Sequence, residues 1–168
     1  MRTNNYDFLL PFFVSHDDSR VEMTKPYDGL NGYIYATNSE ILIRLPKDRV
    51  SQRYDHSECY PNVQELLSKA DQPGIGTATI PQSDILAALS AEERPAFVKI
   101  GQQTFAANYL RTILAASVFL GATVIGYKAA DSPNAPAMFE MGGGITILLF
   151  PVKIRPKNAA IINTQNDA

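Results

Sequence analysis

The chain has 168 residues, 45% of them hydrophobic and 19% charged, a composition that suits one compact domain able to bury a core. Its 15 Lys and Arg against 17 Asp and Glu leave a formal charge of -2, so no overall field draws it to nucleic acid or an anionic membrane, and any DNA contact needs a local patch. The single cysteine, Cys59, excludes an internal disulfide framework and suits a reducing compartment.

The N-terminal run MRTNNYDFLLPFFVSHDD carries an apolar stretch that contains Pro11. It is too short to span a membrane and has no cleavage site, so it reads as part of a cytoplasmic protein without a membrane partner. Within it, Phe8 to Ser15 predicts a strand, His16 to Ser19 a polar turn, and Arg20 to Thr24 a half-buried strand. A turn-rich loop, KPYDGLNG, leads into YIYATNSEILIRLP, residues 33–46, where two β-favouring runs face each other across Thr37, Asn38, Ser39 and Glu40. The pattern is a hairpin. Residues 46–72 form a polar excursion, in which Asn62 and Glu65 make a capping pair for a short helix with Val63, Leu66, Leu67 and Ala70 on one face.

The second half opens with GTATIPQSDILAALSAEERP, a strand followed by a helix that Pro81 and Ser83 start and Pro95 stops, with Ile85, Leu86 and Leu89 as its apolar stripe. FVKIGQQTF predicts a hairpin around Gly101 and Gln102. NYLRTILAASVFLG predicts a helix capped by Asn108 and stopped by Gly121, with Leu110, Ile113, Leu114 and Val118 toward the core. ATVIGYKA, PAMFEM and ITILLFPVKI predict three closing strands, the last pair joined by Gly142, Gly143 and Gly144. The order gives an α+β domain over residues 1–156, with a loosely held tail at 157–168.

Constellations that could carry chemistry are sparse. DHSEC, residues 55–59, contains H-x-E but no P-C-x-x-C follows, so no metal site is expected and no cofactor is implied. Gly142 to Gly144 lie between strands, whereas a phosphate loop runs from strand to helix. His16 beside Asp17 and Asp18 fits a polar turn, although a histidine beside a carboxylate is also how a general base is oriented. The rival reading of the whole chain is therefore a small hydrolase or metal-dependent enzyme using His16, Asp17 and His56.

Three stretches resemble the bacterial DNA sliding clamp, the β subunit of the replicative DNA polymerase. YATNSEILIRLP is similar to the clamp's middle-domain hairpin, A-T-D-G-H-R-L. CYPNVQELLSKADQPGIGTATIPQSDILAAL is similar to the crossing into the last domain, where F-P-D-Y-x-x-L-L precedes a strand and a helix. The stretch from FAANYLRTILAASVFLG to ITILLFPVKI is similar to the clamp ending, F-N-A-R-Y-L-L-D-A-L through L-M-P-M-R-L. The resemblance implies a reduced or single-domain relative: a clamp-like α+β fold of curved antiparallel sheets, two helices on one face and a short extra helix. It implies a non-enzymatic role in DNA replication or repair, with partner peptides bound between hairpin and C-terminal strand.

Carried over by position, Thr37, Ser39, Glu40, Ile41 and Leu42 stand on one side of that groove and Phe150, Pro151, Val152 and Lys153 on the other. Ser39, Glu40 and Ile41 replace the family's Gly, His and Arg, which changes both turn geometry and charge. The resemblance also implies double-stranded DNA as a second partner and a homo-oligomeric ring. Clamp helices hold duplex through phosphate contacts, and here those helices offer Arg94 and Arg111 against Asp84, Glu92 and Glu93. An inhibitor or decoy that occupies clamp partners is a third reading.

Overall fold

A computed structural model describes residues 5–57, 63–70, 77–91, 94–129, 134–153 and 159–166. Eight strands form one antiparallel sheet. Its first half is built by β1 (Tyr27–Asp28), β2 (Tyr33–Thr37) and β3 (Ile41–Pro46), and its second by β4 (Ala78–Pro81), β7 (Val124–Lys128), β8 (Ala137–Glu140), β9 (Thr146–Leu149) and β11 (Gln165–Asn166). The spatial order is β1-β2-β3-β9-β8-β7-β4-β11. The halves join where β3 pairs with β9, Ile41 opposite Leu149 and Arg44 opposite Thr146. A second sheet, in the order β10-β5-β6, contains β5 (Phe97–Ile100), β6 (Gln103–Ala106) and β10 (Ala160–Ile162), with β10 parallel to β5. Three α-helices accompany the sheets among the described residues: α1 (Val63–Ala70), α2 (Gln82–Leu89) and α3 (Ala107–Leu120). The expected α+β architecture is therefore present.

One apolar cluster lies between the sheets and helices and includes Ile43, Ile80, Ile85, Val98, Phe105, Leu110, Ile113, Phe139 and Ile147. Phe139 contacts Phe105 and Tyr127 edge-on or tilted, at centroid distances of 6.0 and 5.3 Å. A smaller cluster of Tyr35, Leu42, Leu67, Met138 and Leu148 sits apart from it. Leu42 and Ile43 belong to different clusters, as neighbours on a strand must when both faces of the sheet are covered. The nearly continuous apolar run ILIRLP fits such a strand.

Several boundaries differ from the sequence expectation. The N-terminal run forms 3-10 helices at Asp7–Phe12 and Asp18–Met23 in place of strands. Leu9, Leu10 and Phe13 are buried while Phe8 and Phe12 are exposed, a spacing of three to four, and Pro11 has no N–H for a ladder. Asp17 caps the second of these helices by accepting the Ser19 N–H at 2.9 Å. Helix α2 ends at Leu89, short of Pro95, with the Ser90 N–H returning to the Leu86 carbonyl, and Arg94, just before Pro95, has φ of +41°.

Asn108 is not the cap of α3. Ala106 holds that position with no side-chain bond, and Ala107 N–H donates instead to the Ala96 carbonyl at 2.9 Å. Leu86 and Val118, expected in the core, are more than half exposed. The tail is not loose throughout, because β10 and β11 pair with β5 and β4 and Ile162 is buried. Gly121 ends α3 as expected, at φ +68° with Ala122 N–H returning to Ser117. The cap Asn62 and Cys59 lie outside the described residues.

Candidate protein-interaction site

The hairpin β2–β3 runs in the register Tyr33 opposite Pro46 to Thr37 opposite Leu42. Its turn is tied internally. Asn38 Oδ1 accepts the N–H groups of Glu40 and Ile41 at 2.9 and 3.0 Å, and the Thr37 hydroxyl donates to the Ile41 carbonyl at 2.7 Å while accepting Ser39 N–H at 3.0 Å. This network holds Ser39 at φ of +81°, where the family pattern places glycine.

Two contacts then dock the turn on the rest of the molecule. The Tyr109 hydroxyl, in the first turn of α3, donates to the Glu40 carboxylate and accepts from the Asn38 amide at 3.2 Å. Burial pushes the Tyr109 phenol up, and the Glu40 carboxylate pushes it further, against a smaller opposing effect of Asn38. In addition, Phe150 N–H donates to the Glu40 carbonyl at 2.9 Å. Beyond Phe150 the chain leaves the sheet, and Val152 N–H donates to the Thr104 carbonyl of β6 at 2.8 Å.

The structure thus brings the hairpin and the C-terminal strand together, but as hydrogen-bonded neighbours in one sheet rather than as two walls of a cleft. Ile41 and Leu42 are 1% and 2% exposed and Thr37 is 3%, so these three are core residues and offer no surface to a peptide. On the Leu42 side, Tyr35, Met138 and Leu148 are covered by Leu67 of α1, with Leu66 packed alongside. The outer remainder of the expected set is accessible: Ser39, Glu40 and Lys153 are exposed, and Phe150, Pro151 and Val152 are half-buried. Beside the turn lies an open cleft of about 310 Å³, in which Asn38, Ser39 and Glu40 face Val14, Ser15, His16 and Asp17 of the N-terminal segment. Nothing in the local pattern, which predicts a strand to Ser15 and a polar turn from His16, places that segment beside the hairpin.

The residues of the enzyme reading are dispersed. His16 and Asp17 line the cleft at the hairpin turn. His56 lies against β1, its Nδ1 2.9 Å from the Asp28 carbonyl and its ring 4.9 Å from that of Tyr27. Asp28 accepts from Lys47 Nζ at 2.7 Å and from Leu30 N–H, which together hold its carboxyl below the usual range. No group of three metal-ligating side chains occurs among the described residues. Of the cations assigned to DNA, Arg94 is exposed beyond α2. Arg111 is exposed on α3, but the next residues along its stripe are Ala115 and Phe119. No helix among the described residues is long and apolar enough to cross a membrane.

The sequence matches no family model and no curated protein sequence. Its fold is that of the bacterial sliding clamps. The sliding clamp of Bacillus subtilis superposes with a TM-score of 0.61 at 13% identity, over 91% of this chain and 62% of the clamp. The Helicobacter pylori β clamp gives 0.61 at 10% identity, over 88% and 63%, and the Thermotoga maritima DNA polymerase III β subunit gives 0.58 at 9%, over 86% and 61%. The chain therefore spans a little under two thirds of the length of these clamps.

Proposed function

We propose that this chain is a non-enzymatic, clamp-like interaction protein of DNA replication or repair, which binds an extended apolar partner peptide along Ser39–Glu40 and Phe150–Lys153. The observation that carries the reading is the bond from Phe150 N–H to the Glu40 carbonyl. It sets the two segments side by side, with Phe150, Pro151 and Val152 half-buried and Ser39, Glu40 and Lys153 exposed. Such a surface combines apolar anchor positions with polar groups at its rim, the mixture that extended-peptide recognition uses. The clamp fold supports the assignment to replication or repair.

The test is fluorescence anisotropy with a labelled peptide of the type that binds sliding clamps. Phe150→Asp and Val152→Asp are each expected to weaken binding at least about tenfold, as the loss of an anchor does. Leu42→Asp is unsuitable as a probe because it places a charge in a buried cluster. Absence of saturable binding by the unaltered protein, or binding that ignores both substitutions, rejects the reading.

A further inference from the structure

A cavity of about 210 Å³ lies between the N-terminal 3-10 helix and the outer side of α3. Leu9, Phe12 and Phe13 form one wall, and Ala115 and Phe119 form the other. The alanine makes the hollow, because it stands on the same helical stripe as Arg111 and Phe119, four residues from each. A large side chain there would fill the space. Phe8 meets Phe119 edge-on at a centroid distance of 5.4 Å and extends the aromatic rim.

Two features mark this as a site for a ligand. Phe12 and Phe119 are each 63% exposed on the same cavity, an apolar exposure that soluble proteins seldom leave uncovered without use. The one charged group in the lining is Arg111, which forms no ion pair with any described residue. A hollow whose lining is almost wholly apolar, with the exposed Arg111 as its one charged residue, suits an apolar body carrying one negative charge, because a guanidinium pairs a carboxylate through two parallel hydrogen bonds. At interior packing density the volume holds roughly a dozen non-hydrogen atoms.

We infer that the cavity between the N-terminal 3-10 helix and α3 binds a small apolar monocarboxylate, its hydrocarbon part between Phe12, Ala115 and Phe119 and its carboxylate on Arg111. The site is independent of the peptide surface and shares no residue with it. It also gives Arg111 a role other than phosphate contact.

The test uses 4-phenylbutyrate and its neutral isostere 4-phenylbutyramide, titrated into the 168-residue chain and followed by amide chemical shifts. The acid is expected to bind saturably with a Kd on the order of 0.1 to 1 mM, with the largest shifts in residues 9–13 and 111–119. Arg111→Gln is expected to weaken the acid about tenfold and leave the amide unchanged. Ala115→Leu is expected to abolish binding of both, with the shifts of the eight-stranded sheet preserved. If Ala115→Leu disturbs the sheet, the acid-to-amide ratio in Arg111→Gln decides alone. Equal binding of acid and amide, shifts centred elsewhere, or no saturation at millimolar concentration overturns the proposal.

Discussion

Tyr127 shows how single residues set the response to pH. Its side chain is nearly enclosed, its hydroxyl donates toward the Ile100 carbonyl and Gln103 Oε1, and burial raises its pKa well above the ordinary tyrosine value. Tyr109 is raised in the same direction, by burial and then by Glu40. A group with a raised folded pKa contributes fully below its unfolded value, and the contribution is lost as pH climbs from there through the folded one. At the acid end the sign reverses for Asp28, lowered chiefly by its bond from Lys47. Its contribution is present above the usual carboxylate range and is lost as pH falls toward the folded value. Urea midpoints are therefore expected to decline above about pH 10 and below about pH 4, and Tyr127→Phe is expected to flatten the alkaline limb. An alkaline limb identical in Tyr127→Phe would assign the effect to other groups. At this scale the sequence was informative about Thr37 to Glu40 as a turn, because polar residues between two β runs have few other uses. It was silent on Tyr109, whose link to Glu40 and Asn38 depends on how α3 is placed.

Helix α1 rests on the sheet apart from the main core. It reaches the sheet through Leu67 and Leu66, on a cluster separate from the main core. Leu67→Asp is expected to raise amide exchange in residues 63–70 by at least about tenfold while leaving β3 and β9 protected, measured by hydrogen exchange with mass spectrometry. Loss of protection in β9 as well would show that α1 and the sheet unfold together. The helix itself was legible from Leu66 and Leu67 on a shared face, as were β2, β3 and α3 with its stop at Gly121. What misled was local: Phe8 to Ser15 has strand-forming residues, yet its burial repeats every three to four positions and Pro11 blocks pairing. The resemblance places Ile41 and Leu42 on the peptide groove by position in the hairpin, whereas β3 is central and covered on both faces. The four apolar residues in ILIRLP carried that signal.

Taken whole, the molecule keeps the clamp fold in a little under two thirds of a clamp's length, but among the described residues α2 carries no Lys or Arg and α3 carries Arg111 alone. If Arg94 and Arg111 both reach phosphates, log K for duplex DNA against log salt has a slope near -2 at most, since each contact contributes about 0.9. A filter-binding series from low to physiological salt is expected to give that shallow dependence and weak affinity. A slope several times steeper would reveal a cationic surface drawn from other elements.

The pairing of β3 with β9 also governs how the chain can be made. Arg44 donates to the Thr146 hydroxyl at 3.1 Å across 102 residues, and every rung beside it spans a comparable distance. During synthesis the hairpin β2–β3 leaves the ribosome long before its partner strand exists, and with it an unpaired edge rich in Ile and Leu. The nascent protein must pass through a period in which that edge is open to other chains, and the sheet closes only when β9 arrives.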